Sequence, residues 1–175
     1  DRLIEEQVRP FAPQLERLRT IPGIERLTAA TTIAEMGVDM RVFRTAERAA
    51  SWVGLCPGNN ESAGKRKCSR TRPGNQALKT ALVEAAQAAS RKRNSYYKAK
   101  YGQLRGRMNH KQAIIAIAHK ILISAYHVLC GQEYKELGPD YLDKLNPRRT
   151  AKKLVRRLQR LGYQVELTKA AAAAA

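Results

Sequence analysis

Apolar residues return every three or four positions through most of this chain, and that period predicts helices. Leu3, Ile4, Val8, Phe11, Leu15 and Leu18 are separated by charged residues, the pattern of an amphipathic or coiled-coil helix over 1–19 that Pro10 and Pro13 kink or restart. Pro22-Gly23 interrupts the pattern, and Ile24 can plug the turn. Leu27, Ala30 and Ile33 then share one face of a second helix that Gly37 ends. A short helix is expected before and through Trp52, with Thr45 as its cap and Trp52 and Val53 entering the core. After Pro73-Gly74, Asn75 is a natural cap for a helix whose stripe is Leu78, Ala81, Leu82, Ala85 and Ala89, ending near Arg91. A break is expected over 102–109, and then a helix from His110 to about Cys130 that is apolar nearly all round and therefore central. Residues 137–147 read as a linker, 148–161 as a basic amphipathic helix, and 164–167 as a short strand.

The expected fold class is therefore all-α, with a helix-hairpin-helix element, a basic loop and a basic C-terminal helix. Such hairpins can hold phosphates on exposed backbone N–H groups at a helix N-terminus. Here Glu25 occupies the place of the usual second glycine, where a carboxylate would cap its own helix and repel phosphate. That favours a structural hairpin over one that grips DNA.

Charge narrows the partners. The chain has 175 residues, enough for a core without disulfides, and a formal net charge of +18. An anionic polymer or surface is the expected partner. The most apolar run, 113–129, carries His119, Lys120 and His127 and makes a poor bilayer span, so nucleic acid is favoured over membrane. Three cysteines, 56, 68 and 130, form no C-x-x-C pair and are not spaced with His110, His119 and His127 for a metal, so neither a disulfide framework nor a zinc site is expected. A reducing, cytoplasmic setting is the default. The segment from Asp1 has neither an initiator Met nor a helix cap and reads as the inside of a helix in a longer protein. The closing polyalanine, 170–175, carries no functional information.

The chemistry concentrates between Trp52 and Lys79. Ser62 lies in a stretch rich in Gly, Pro and Asn, followed closely by Lys65, Arg66, Lys67, Arg70 and Arg72. A nucleotide-binding P-loop does not fit, because five residues separate Gly58 from Gly64 and Arg66 replaces the metal-binding hydroxyl. A hydrolase triad does not fit either: there is no G-x-S-x-G, and His119, on a stripe with Ile115, Ile123 and Tyr126, reads as a core histidine. The remaining catalytic reading is attack by the Ser62 hydroxyl on a DNA phosphodiester. Lys65, Arg66, Lys67, Arg70 and Arg72 would then meet phosphoryl oxygens, and Gly64 would let backbone N–H groups approach. The bland reading, a serine that only shapes a turn, stands beside it.

Two further basic segments are candidate nucleic-acid contacts. In the first, Arg91, Lys92, Arg93, Tyr96, Tyr97, Arg105 and Arg107 mix cations with aromatics, which suits phosphate contact with base stacking and equally suits a solvated helix anchored by tyrosines. In the second, Arg148, Arg149, Lys152, Lys153, Arg156, Arg157 and Arg160 punctuate Leu154, Val155, Leu158 and Leu161.

The order and spacing of these motifs resemble the C-terminal, serine-bearing domain of the insertion-sequence-110-type transposases, the group that includes the 116 and 902 elements. The resemblance rests on Ile21-Pro-Gly-Ile24, Trp52-Val-Gly-Leu55-x-Pro57, Glu61-Ser62-Ala63-Gly64-Lys65 and Thr71-Arg72-x-Gly74-Asn75-x-x-Leu78. It continues into the His119-Lys120 helix and covers residues 15–130. Ala63 stands where many members have a second glycine. The resemblance implies that Ser62 is the nucleophile of a transposase or recombinase. It also implies a separate RNase H-like domain whose four acidic residues hold divalent metal (Mg2+). It implies DNA and a structured guide RNA as partners, in a homo-oligomer associated with the bacterial or archaeal nucleoid. The organisation it suggests is a linker helix over 1–19, a catalytic-serine domain over 20–130 and a basic extension over 131–169. The competing reading is a non-catalytic module that binds nucleic acid and oligomerises.

Overall fold

The computed structural model describes residues 7–168 apart from 58–59, 63–64 and 69–70, and for 60–62 and 65–68 it describes the backbone alone. Eight α-helices occur among the described residues: α1 (Ala12–Arg19), α2 (Arg26–Met36), α3 (Ala46–Val53), α4 (Gln76–Arg91), α5 (Tyr96–Arg105), α6 (His110–Leu129), α7 (Tyr141–Leu145) and α8 (Pro147–Arg160). Single 3-10 turns precede α1 and α3, and two short strands, β1 (Asn60–Ser62) and β2 (Lys65–Cys68), lie between α3 and α4. The fold is all-α with one small β-ribbon. The chain divides into two compact units, one reaching Pro139 and one starting at Asp140.

In the first unit α6 is the axis. It packs against α1, α3, α4 and α5, which is why most of its residues are apolar. Ala113, Ile114, Ile117, Ala118, Ile121, Leu122, Ala125, Tyr126 and Val128 are its buried residues. By length and composition α6 could cross a bilayer, but half of it is already buried within the fold. The alanines of α4 serve close approach: a Cβ added to Gly23 (φ +90°) would collide with the Ala85 carbonyl oxygen and sit 3.0 Å from the Ala89 Cβ. The turn between α1 and α2 is thus pressed on α4, with Ile21, Pro22 and Ile24 buried. That placement gives the turn a packing role.

Local signals locate the helix ends. Thr45, Asn75, Ser95 and Asn109 each accept a hydrogen bond from the backbone N–H three residues on. Gly37 closes α2 at φ +71°. Pro10 lies in the 3-10 turn before α1, and Pro13 lies in the first turn of α1, so the first segment is restarted as expected.

Several expectations are corrected. Leu27 is 67% exposed, because the buried side of α2 is centred on Ala29, Ala30, Ile33 and Met36 and Leu27 lies nearly opposite it at 100° per residue. Val53 is buried but Trp52 is not: α3 buries Ala46, Ala49, Ala50 and Val53, and Trp52 falls off that stripe and tilts onto Phe43 with ring centroids 5.3 Å apart. Glu25 occupies the cap position of α2 without a side-chain cap hydrogen bond. Helix α5 continues through Gly102 to Arg105, so the break is confined to 106–109. Residues 164–167 form no strand. Tyr134 and Glu136 pack with the first unit, beyond the expected boundary at 130: Tyr134 stacks on Tyr97, and the Tyr96 backbone N–H donates to Glu136. The linker-like stretch contains α7, and the Thr150 hydroxyl donates to the Asp143 carboxylate 3.3 Å away, within the second unit.

Candidate functional site

The serine segment is held at a narrow neck. Helix α3 ends in Gly54, whose left-handed conformation (φ 79°, ψ 31°) turns the chain sharply, and the Leu55 N–H closes the turn on the Ala50 carbonyl. The returning chain meets this corner backbone to backbone. A Cβ on Gly74 would lie 2.5 Å from the Gly54 nitrogen and 2.6 Å from the Trp52 carbonyl oxygen, and one on Gly54 would lie 2.7 Å from the Arg72 carbonyl oxygen. The Asn75 N–H donates to that same Trp52 carbonyl at 3.3 Å. Asn75 does two further things: its Oδ1 accepts the Leu78 N–H at 2.9 Å, and its Nδ2 donates to the Glu35 carboxylate. Next to the neck, Lys79 Nζ donates to Thr71 Oγ1 at 2.9 Å.

Above the neck the chain runs out and back as an antiparallel ribbon. Pro57 bridges to Thr71, and then Asn60 pairs with Cys68, Glu61 with Arg66 and Ser62 with Lys65, with an irregularity between Asn60 and Glu61. The predicted basic loop is therefore a short hairpin in its described backbone. Ser62 is the last paired residue of β1, directly opposite Lys65 at the far end of the ladder. The side chains of Ser62, Lys65, Arg66 and Lys67, and all of Gly64 and Arg70, lie outside the described residues. Arg72, at the foot of the ribbon, is exposed.

A cleft of about 980 Å³ opens beside the base of the ribbon. Leu55, Pro57 and Thr71 form one wall, Lys100 and Leu104 of α5 another, and Lys111, Gln112, Ile115, Ala116, His119 and Lys120 of α6 the third; Arg107 and Met108 close the end between those helices. Among the described residues no carboxylate lines it. The ammonium of Lys100 is half-buried, and burial first, then the positive charge of Lys120 and Arg107, lowers its pKa. His119 is half-buried as well. Burial lowers its pKa and Lys120 adds to this, against a smaller opposing pull from Glu47. It is thus a partly exposed imidazole on a cleft wall, not a closed core residue. Reasoning from sequence does not single out Lys111 or Lys120. The available signal was the step of four that aligns Lys111, Ile115 and His119, and beside them Gln112, Ala116 and Lys120, on one side of α6.

The two candidate nucleic-acid segments fare differently. Arg91, Lys92, Arg93, Arg105 and Arg107 are exposed. Tyr97 is not a stacking platform: it is 1% exposed, its hydroxyl is 2.9 Å from Ser124 Oγ, and its ring is stacked on Tyr134 and edge-on to Tyr96. Burial pushes its pKa up to about 12. Tyr96 is half-buried at the same cluster. In the second unit Arg148, Arg149, Lys152, Lys153, Arg156, Arg157 and Arg160 are all exposed along α8, and Leu154 and Leu158 are exposed between them. Among the described residues no group of three or more His, Cys, Asp or Glu side chains is placed to hold a metal ion.

Comparison with known proteins identifies the family. Residues 15–102, which run from α1 through the neck and ribbon to α5, match the model of the Transposase IS116/IS110/IS902 family. The chain is 30% identical over 120 residues to a protein of Pseudomonas aeruginosa named "Probable family 20 transposase", covering 67% of this chain and 35% of that one. It is 28% identical over 145 residues to the transposase for insertion sequence element IS1111A of Coxiella burnetii, covering 77% of this chain and 38% of that one. The chain therefore spans little more than a third of the length of these relatives. With the family match spanning the clamped ribbon and the helices that carry it, this chain belongs to the IS116/IS110/IS902 family of transposases.

Proposed function

We propose that this chain is the nucleophile-bearing part of a DNA transposase and that Ser62 is the nucleophile. The Ser62 hydroxyl attacks a DNA phosphodiester, an Oγ–P bond forms, and the P–O bond to one deoxyribose breaks. The departing strand end takes a proton and leaves as a hydroxyl. The phosphoserine link conserves the bond energy, so a hydroxyl of another strand end can reverse the step and rejoin DNA without a nucleotide triphosphate. Negative charge gathers on the phosphoryl oxygens during both steps and requires nearby cations.

The observation that carries this reading is the register of the ribbon. It sets Ser62 opposite Lys65 at the end of a hairpin whose foot is clamped by Gly54, Gly74 and Asn75, beside a cleft lined, among the described residues, by cations and no carboxylate. A nucleophile needs a firm base and an anion-receptive surface, and this arrangement supports both. Arg66, Lys67, Arg70 and Gly64 are proposed phosphate contacts in the same ribbon. The divalent metal that the resemblance implies is assigned to a separate RNase H-like domain, whose four acidic residues would hold it. DNA and a structured guide RNA are proposed partners of the exposed basic residues of α4, α5 and α8, and a homo-oligomer is the proposed assembly.

Trapping tests the reading. Full-length protein is incubated with labelled DNA and metal and denatured, and any DNA–peptide adduct is mapped by mass spectrometry. The expected adduct is on Ser62 and is absent from Ser62→Ala, which still binds DNA. An adduct elsewhere, or strand exchange by Ser62→Ala, would leave the non-catalytic binding module as the better account.

A further inference from the structure

The cleft between the ribbon foot, α5 and α6 has chemistry that catalysis at Ser62 does not by itself require. Lys100, Arg107, Lys111 and Lys120 converge on it from two helices and the connection between them. Among the described residues none of the four has a carboxylate partner; Lys100 Nζ donates to the neutral Gln103 side chain at 2.9 Å. Gathering like charges around a partly desolvated hollow costs free energy, and an arriving anion relieves it. The pKa of Lys100 is lowered in part by Lys120 and Arg107, so these cations feel one another.

The interior between the cations is apolar, formed by Leu55, Leu104, Met108, Ile115 and Ala116. A small inorganic anion has no use for such a floor, but a nucleotide places its sugar and base on it while its phosphates stay at the rim. Size excludes a duplex. A sphere of 980 Å³ is about 12 Å across, no wider than the major groove of B-DNA alone, so a whole double helix cannot enter it. It lies within the range of about 300–1,000 Å³ typical of pockets that hold a small molecule, room for one or two unpaired nucleotides.

We infer that this cleft is a binding site for a single, unpaired nucleic-acid strand, its phosphodiesters on Lys100, Arg107, Lys111 and Lys120 and its sugar and base faces on Leu104, Met108 and Ile115. The inference deepens the strand-transfer reading and rests on it for its biological sense: the site accepts a strand opened next to the ribbon that bears Ser62, and duplex DNA is held on other basic surfaces.

The test is a binding comparison with the full-length protein and an oligonucleotide of about ten nucleotides, within the span that single-strand sites cover. It is offered as single-stranded DNA, as single-stranded RNA of the same sequence, and as duplex DNA. Lys100→Ala, Lys111→Ala and Lys120→Ala, combined, are expected to weaken single-strand binding at least tenfold. They should also reduce the magnitude of its salt slope by about two, at about 0.7 for each phosphate no longer neutralised. Duplex affinity should change less than threefold. Comparing the DNA and RNA strands shows which sugar the cleft takes. A urea midpoint of the triple variant equal to that of wild type, together with its retained duplex binding, guards against a folding artefact. Single-strand binding within twofold of wild type in the triple variant, or an equal loss for duplex, overturns the inference. The two readings fail separately. Strand binding that depends on the cleft without any Ser62 adduct leaves the cleft standing and defeats strand transfer; an adduct with cleft-independent strand binding does the reverse.

Discussion

Gly74 lies against Gly54 so closely that a methyl group on Gly74 would stand 2.5 Å from the Gly54 nitrogen. Two glycines far apart in sequence are thus one joint, the crossing point of the chain entering and leaving the ribbon. The atoms in the way are backbone, which cannot swing aside as a flexible side-chain end does.

Gly74→Ala is therefore expected to destabilise the first unit by about 1–3 kcal/mol, the usual cost of overpacking, and to displace the ribbon. Urea unfolding measures the first effect and strand exchange the second. Gly102→Ala is the matched control. Nothing lies within 4 Å of a Cβ there, and the residue is inside α5, so the change should stabilise by about 0.5–1 kcal/mol. If Gly74→Ala leaves both stability and strand exchange unchanged, the neck is not what positions the ribbon.

Asn75 supports the same joint from the α4 side, through its cap on Leu78 and its contact with Glu35. Asn75→Ala should cost about 0.5–2 kcal/mol through loss of the cap. Asn75→Asp keeps an acceptor for the Leu78 N–H but sets a carboxylate against Glu35, so it should also be less stable than wild type. Urea unfolding compares the two variants, and an Asn75→Asp as stable as wild type would remove Glu35 from the account.

What could be read from the chain, and what could not, divides along physical lines. The caps at Thr45 and Asn75 and the stop at Gly37 act within four residues, so their chemistry is local and was legible. The same holds for α6, whose largely apolar run marks the central helix of the unit. Leu27 and Trp52 were misplaced, and Tyr97 was left between stacking and anchoring, because a hydrophobic or aromatic residue carries no label for the side its helix turns to the core. Tyr97 in particular is buried by Ser124 and Tyr134, residues distant in sequence. The ribbon was hidden for a different reason: 60–68 lacks the alternation of apolar and polar positions that marks a strand. The cleft was half visible, since the steps of four on α6 were present but nothing local says that α5 and the ribbon foot stand opposite them.

Burial of Tyr97 has a consequence at high pH. Its pKa is pushed up to about 12 from the ordinary value near 10, so the folded state holds the phenolic proton more tightly than the unfolded state. This contribution is intact below pH 10 and is lost as pH rises from 10 through 12, at up to about 1.4 kcal/mol per pH unit for the one proton. Tyr97→Phe gives up the Ser124 hydrogen bond and loses about 1 kcal/mol at pH 8. Its stability should then fall less steeply than that of wild type between pH 10 and 12. Urea midpoints across that range measure the difference, and parallel curves would show that Tyr97 ionises as readily folded as unfolded.

The basic helix α8 makes a prediction independent of Ser62. Arg156, Arg157 and Arg160 are exposed, and among the described residues none has a carboxylate partner, so their charge is available to an anionic polymer. If each neutralises one phosphate of duplex DNA, replacing all three by Ala should lower the magnitude of the slope of log K against log salt by about 2.7, at about 0.9 per phosphate. The loss should be nearly the same for any sequence, because phosphate contacts carry no base identity. Stability should hardly change, since none of the three is buried. Filter binding over a range of salt concentrations reads the slope directly. A slope equal to that of wild type would remove α8 from the duplex interface, and a loss confined to one DNA sequence would mean that these arginines read bases rather than the backbone.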